Sequence, residues 1–480
     1  MNSYFLKKAK ALTPKLNHTF IEHPDRELIM KPGDEHLYDF GNHYTGYVTL
    51  KLDCTNPADA PAFLKLTFAE DKEELGFNSA DYNGWLSRSW IQEETVHFDL
   101  MPKSYRLPRR YAFRYLKVEV ISTSPAYDLK IRSVKLDAVS SARVEPEIVG
   151  KSARVRRIDQ VGLRTLHECM QEEFEDGPKR DRRLWLGDLR LQAQVNYLTY
   201  KQNDLVKRCL YLFAALADKN GLVPGCLFTK PRHIAGNVMY DYPLLFIPTL
   251  LDYYEATGDK ETTLELFPVA KRQEEIGRGL IADDGTITPT EWCFIDWCDD
   301  FKRDACALAV YIYSADALVR LGELLGEEQS EVRELVSRER EVANKLYYNK
   351  ENGLFLDTGK GGVSYATNTW MTLAKVADKQ TLAKALKNTA NYKGAVTPVT
   401  PYMYHHYIEA LCSVDLTEEA YALMEGYFGT IVDMGADTYR ELFDPKNPFG
   451  SPYGSPIVNS YCHAWSCAPS YFLRKYFTDK

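Results

Sequence analysis

The sequence predicts two unlike parts in one chain: an antiparallel β-sandwich over residues 1–150 and an all-α (α/α)6 barrel over 151–480. Three observations carry this. Apolar residues recur with a period of two before residue 140 and with helical spacing from Val155 onward. Links between successive helical segments alternate between short and long. At 480 residues, the chain also exceeds what one ordinary core organises.

In the first part, Val48, Leu50 and Leu52 alternate with Thr49, Lys51 and Asp53. Leu64, Leu66 and Phe68 alternate with Lys65 and Thr67, and the same pattern marks Val96–Leu100 and Leu116–Val120. Strands with one apolar face, parted by Gly, Pro, Asn and Asp turns, build an antiparallel sandwich. The insertion around Asp81–Trp85 either reaches a neighbouring domain or forms a loose loop. No catalytic set assembles here, so this part reads as an accessory domain.

From Val155 the helical spacing predicts segments near 155–174, 189–201, 204–217, 241–256, 259–279, 302–325, 328–347, 367–376, 379–388, 400–412, 416–431 and 460–476. Some links are a few residues, such as Thr257–Asp259. The others are long: 175–188, 218–240, 280–301, 348–366, 389–399 and 432–459. Six hairpins with all long loops at one end form a barrel, and its closure sets the loop 175–188 beside 432–459. Loops held by a rigid scaffold carry function, so that end is the expected site.

The loop Asp176–Asp188 is the densest of them. Its thirteen residues hold three carboxylates (Asp176, Asp181, Asp188), three arginines (Arg180, Arg182, Arg183) and Trp185. A salt-bridged connector would also be charged, but it seldom mixes a proline, two glycines and a tryptophan among the charges. The 218–240 loop leads into Asp241. The 280–301 loop carries Trp292, Asp296 and Trp297; the last long loop carries Glu441, and His463 opens the final segment. Rings that stack on C–H faces, set among carboxylates that bind hydroxyls, suit a carbohydrate. Singly, Trp297 reads equally as core and His463 as a helix cap.

Composition narrows the classes. A net charge of −8 without a long Lys/Arg run argues against a nucleic-acid partner. The amino terminus has no apolar signal-like region, and no stretch is expected to reach membrane-spanning length. The ten cysteines sit mostly in apolar helical patterns, as reduced thiols do, so a cytoplasmic protein is expected. Cys293/Cys298 and Cys462/Cys467 interleave with Trp292, Trp297 and Trp465, which fits packed walls rather than a zinc site. No metal or other cofactor is expected, and the oligomeric state is not legible.

Asp176-Gly-Pro-Lys-Arg-Asp-Arg-Arg-Leu-Trp-Leu-Gly-Asp188 resembles the loop Asp-Cys-Pro-x-Arg-Glu-x-x-Gly-Trp-x-Gly-Asp of glycoside hydrolase family 78, the bacterial α-L-rhamnosidases. Phe294–Trp297, Tyr439–Glu441 and Tyr461–His463 resemble further segments of that family in the same order, over about 155–480. Tyr47–Ile121 resembles the sandwich that precedes the family's six-hairpin catalytic domain. The resemblance implies an inverting hydrolase of terminal α-L-rhamnosides, with Asp181 as general acid and Glu441 as general base. Asp176, Arg180, Asp188 and His463 fall on sugar-binding positions; Asp241, Trp185, Trp292 and Trp297 fall on further contributing ones. Asp181 stands where the family carries Glu, about 1.5 Å shorter, and Gly177 stands where it carries Cys. A cation beside Asp181 would favour its charged form, whereas burial and neighbouring carboxylates would favour the protonated one; if the flanking arginines point at Asp176 and Asp188 instead, Asp181 can stay protonated. A barrel enzyme acting on another sugar (a lyase or phosphorylase) and a non-catalytic sugar-binding protein stay open as alternatives.

Overall fold

The computed structural model describes residues 2–56, 61–234, 236, 238–287, 289, 291–359 and 361–480. The others, including a few positions in the expected loops 218–240, 280–301 and 348–366, lie outside the described residues.

The N-terminal region is an antiparallel β-sheet. Its strands are β1 (Asn17–Glu22), β2 (Leu28–Met30), β3 (Glu35–Cys54), β4 (Ala62–Ala69), β5 (Glu93–Phe98), β6 (Lys103–Arg106), β7 (Tyr111–Ser122) and β8 (Leu129–Ser140). The order runs β1-β8-β3-β7-β4-β5, with β2 on β8 and β6 on β3. The twenty-residue β3 links the two halves, pairing with β7 over residues 35–46 and with β8 over 46–54. The expected alternation buries Val48, Leu50, Leu52, Leu64, Leu66 and Phe68 in one core with Leu116, Val118 and Val120. Leu100, expected in a strand, lies beyond the end of β5 and is exposed.

Before the sheet comes a helix the periodicity did not predict, α1 (Ser3–Ala11), capped by the Asn2 side chain. It docks on the helical part: Tyr4 and Lys8 bind Glu265, and Arg208 donates to the Ala9 carbonyl.

Helices follow as α2 (Ala153–Cys169), α3 (Leu186–Leu198), α4 (Asn203–Ala215), α5 (Asp241–Leu244), α6 (Phe246–Thr257), α7 (Lys260–Arg278), α8 (Asp304–Leu325), α9 (Ser330–Tyr347), α10 (Tyr365–Leu373), α11 (Lys379–Asn391), α12 (Pro401–Ser413), α13 (Thr417–Asp433) and α14 (Ala468–Lys475). The tight link after α6 ends in Asp259, whose carboxylate caps α7 through the Thr262 N–H at 3.1 Å. Contacts run in series from α3 to α6, α8, α10 and α12, and α14 returns to α3 and α2. The first and last hairpins therefore meet.

Two helical expectations change. The helix expected over 460–476 begins only at Ala468: residues 460–463 are not helical, residues 464–466 form one tight turn, and the His463 N–H pairs with the Tyr439 carbonyl instead of within a helix. In addition, α8, at 22 residues, is apolar and long enough by composition to cross a membrane, but it lies mostly buried among the other helices.

Candidate active site

The loop after α2 is held by its own ends. Asp176 N–H donates to the Arg183 carbonyl at 2.9 Å, and Arg183 N–H returns to Asp176 Oδ1 at 2.9 Å. Within this clasp, Asp181 and Arg182 take φ of 64° and 51°, a left-handed conformation that costs a non-glycine residue energy and clusters at functional sites. Gly177 leaves no room for a side chain: a Cβ would meet Ser460 Oγ at 2.6 Å. A cysteine there, as in the family pattern, would require the Ser460 side chain to turn aside.

The loop lies against the 432–459 loop, as the hairpin pattern predicted. Arg180 Nε donates to the Val458 carbonyl at 2.9 Å, and Ala464 N–H donates to the Asp176 carbonyl at 3.0 Å. Between them opens a cavity of about 240 Å³. Asp176, Arg180, Asp181, Trp185, Asp188, Trp292, Trp297, Glu441 and His463 all line it.

At the floor, Asp176, Asp188 and His463 are almost fully buried. His463 sits between the carboxyls, with Nε2 3.9 Å from Asp176 and Nδ1 3.7 Å from Asp188. Burial pushes both carboxyls well above the ordinary range, reinforced for Asp176 by Asp181 and for Asp188 by Glu441. Burial, with Arg180 nearby, holds the His463 imidazole well below its usual value, so the ring is neutral at pH 7. Asp188 Oδ1 and His463 Nδ1 have no hydrogen-bond partner within the protein. Buried polar atoms of this kind are costly unless a ligand or water satisfies them.

Three side chains hold the Glu441 carboxylate. Arg180 pairs with Oε2, while the Tyr453 hydroxyl and the Trp297 indole N–H, the latter at 3.3 Å, donate to Oε1. Burial raises its carboxyl, and Asp181 adds to the rise; Arg180, Tyr453 and Trp297 oppose it. Arg180 also lies 3.4 Å from Asp181 through its other terminal nitrogen, so one guanidinium stands between the two carboxylates. Two of the three arginines face Asp181 rather than Asp176 and Asp188. Arg180 and Arg183 approach Asp181, at 3.4 and 3.7 Å. Arg182 points away, donating to the Pro178 and Arg110 carbonyls.

Aromatic rings form the wall. Trp185 meets Trp292 edge-on at 6.3 Å, and Phe294 packs on Trp297 at 5.2 Å and on Trp465 at 5.5 Å. Asp241 does not line the cavity. Its Oδ2 accepts the N–H groups of Phe294 and Ile295 at 3.1 and 3.2 Å, so it shapes the turn that presents Trp297. Asp296 likewise faces inward, onto Thr400.

Sequence reasoning missed several lining residues: Tyr453, Trp465, and the trio Trp85, Leu86 and Trp90 from the N-terminal region. The insertion 81–85 does reach the helical part. Trp85 Nε1 donates to the Pro452 carbonyl at 3.0 Å, and the Tyr82 hydroxyl to that of Tyr453 at 3.3 Å. Gly84 permits this approach, since a Cβ there would lie 1.9 Å from the Tyr453 carbonyl oxygen. A tryptophan set beside Asp81, Asn83 and Gly84 in the insertion was the signal available in the sequence.

Residues 9–138 match the glycosyl hydrolase family 78 alpha-rhamnosidase N-terminal domain, and residues 147–477 match the bacterial alpha-L-rhamnosidase 6 hairpin glycosidase domain. Among solved structures, a rhamnosidase from Klebsiella oxytoca with rhamnose bound is 38% identical, with a TM-score of 0.96 and 99% of each chain covered. A family 78 rhamnosidase of Bacillus sp. GL1 is 21% identical (TM-score 0.79, 94% of this chain and 47% of that one). An α-L-rhamnosidase of Streptomyces avermitilis complexed with L-rhamnose is 18% identical (TM-score 0.75, 96% and 44%). These last two share the fold, and the chain spans under half their length. No curated protein matches the chain.

Proposed function

The chain belongs to glycoside hydrolase family 78, and from that membership we propose an inverting α-L-rhamnosidase that releases terminal α-L-rhamnosyl residues. Asp181 serves as general acid to the leaving oxygen and Glu441 as general base to the attacking water. The observation that carries this reading is the pairing of Asp181 and Glu441 on one cavity, with Arg180 between them. Tyr453, Trp297 and Arg180 hold the Glu441 carboxylate in one orientation, which a base acting on a positioned water requires.

Asp176, Asp188 and His463 bind the hydroxyls of the sugar, and the unpartnered Asp188 Oδ1 and His463 Nδ1 accept or donate there. Trp185, Trp292 and Trp297 take the apolar faces, including the methyl group of a 6-deoxy sugar. Asp241 contributes through the turn at 294–297 rather than by touching sugar.

The same reading takes the helical part, 151–480, as an (α/α)6 barrel, supported by the closed series of helix contacts, and 1–150 as a sandwich. It also puts the protein in the cytoplasm, in keeping with ten free cysteines, eight of them buried.

The test is a panel of chromogenic α- and β-glycosides followed by NMR of the first-formed product. Hydrolysis of the α-L-rhamnoside with initial release of β-L-rhamnose is expected. Turnover of a different glycoside alone would overturn the sugar assignment, and initial α-L-rhamnose would overturn inversion.

A further inference from the structure

The cavity has a direction. Asp176, Asp188 and His463 at the floor are 3, 2 and 3% exposed, whereas Trp85 is 68% exposed. The Asp181 and Arg183 side chains are intermediate, at 14 and 22%. A terminal sugar seated on the floor therefore sends its leaving group outward past Asp181 and through the mouth beside Trp85. A proton donor partway up the wall fits that path.

The mouth is built, not loose. Trp85 is anchored by its indole N–H to the Pro452 carbonyl and lies 5.4 Å from the Tyr453 ring. Tyr82 and Ile91, on either side of it in sequence, are buried in a small core with Tyr453, Ile457 and Val458. Arg88 and Ser87 close the segment on itself, through the Ser79 carbonyl and the Ser89 N–H. An exposed tryptophan held this firmly is a preorganised apolar surface.

Its chemistry is selective. The Trp85 N–H is already used, Leu86 has no polar group, and Trp90 adds a second indole. A second sugar ring would bring hydroxyls that need partners, and of these three side chains only Trp90 offers an indole N–H to them, the remaining hydroxyls falling to water at this exposed mouth. A flat aromatic ring needs none. Building on the glycosidase reading above, we propose that Trp85, Leu86 and Trp90, contributed by the N-terminal region, form a leaving-group subsite for a planar aryl aglycone.

The experiment compares kcat/KM for the 4-nitrophenyl and methyl glycosides of one sugar, chosen as the sugar the enzyme hydrolyses fastest. Dividing variant by wild type for each substrate cancels their intrinsic reactivities. Trp85→Ala should lower the aryl ratio about tenfold, the change expected for loss of one aromatic contact, and the methyl ratio far less. Trp85→Phe should restore most of the aryl activity, and Trp90→Ala should reproduce the selective loss without touching the Pro452 bond. Equal losses on both substrates in Trp85→Ala and Trp90→Ala, or none on the aryl glycoside, would overturn the subsite. A wild-type enzyme inactive on rhamnosides but active on another sugar would overturn the sugar assignment alone, and the aryl–methyl comparison would still decide the subsite.

Discussion

Tyr453→Phe removes one hydroxyl donor from Glu441, the proposed base, without moving its neighbours. The ring remains over the Arg180 guanidinium at 4.4 Å and against Trp297 at 5.8 Å. Its backbone stays tied by the Tyr82 hydroxyl and the Ser451 side chain. What is lost is one donor to the charged form of Glu441. A hydrogen bond to a charged group contributes about 1.5–3 kcal/mol, and one pH unit corresponds to about 1.4 kcal/mol. Trp297 still donates to the same oxygen and Arg180 to the other, so the lower end of that range applies and the Glu441 carboxyl rises further as its charged form loses a donor. The base works only when ionised. Activity is thus full above this raised value and lost as pH falls through it, and the variant should lose it sooner on acidification. The charged groups facing Glu441 are Arg180, Asp181 and Asp188, all retained. The assay is kcat/KM against pH on an activated aryl glycoside. An acidic limb that stays put or moves down, in a variant that keeps its plateau activity, would refute the role given to Glu441.

Three further outcomes are expected. Asp181→Asn should lose about 10²–10⁴-fold on a glycoside with a poor leaving group and much less on an activated aryl one; equal losses would make Asp181 a binding residue. Glu74→Gln breaks a buried ion pair with Lys179, which also donates to the Ile457 and Asn459 carbonyls. It should destabilise the protein by about 3 kcal/mol, and an unchanged Tm would show the pair to be dispensable. Gly84→Ala forces a methyl onto the Tyr453 carbonyl and should lower both Tm and activity; full activity with native stability would show that the docking relaxes freely.

Much of this architecture was legible because periodicity is a direct imprint of burial. The residues alternating in β3 and β4 are those facing the core, and the helix spans differ from expectation by only a few residues at most ends. Expectation failed where long-range pairing overrode local preference. Residues 460–463 had helical spacing, yet their backbone pairs with Tyr439 and Glu441 instead. The short helix α1 has no periodicity long enough to read, and it holds because Glu265 and Arg208 grip it. The site residues in the 176–188 loop were visible as an unusual mixture of types. Tyr453 was not, since its partners Gly84 and Trp85 lie far away in the chain and meet it only in three dimensions. Asp241 was visible as an acid at the loop end of the helical part, but only the structure shows its carboxylate turned onto backbone N–H groups.

The segment carrying Glu441 is fastened to the N-terminal region at several points. Glu70 accepts the Tyr461 N–H at 2.7 Å, Asp71 pairs with Arg440 at 2.8 Å, and Glu74 holds Lys179. The helical part is consequently not an interchangeable cassette. Expressed alone, it would bury or bare the cations of Lys179 and Arg440 without their anions, next to Glu441. A chimera joining it to a foreign sheet would have to reproduce the acidic run Glu70, Asp71 and Glu74, together with Gly84, before its own machinery could work.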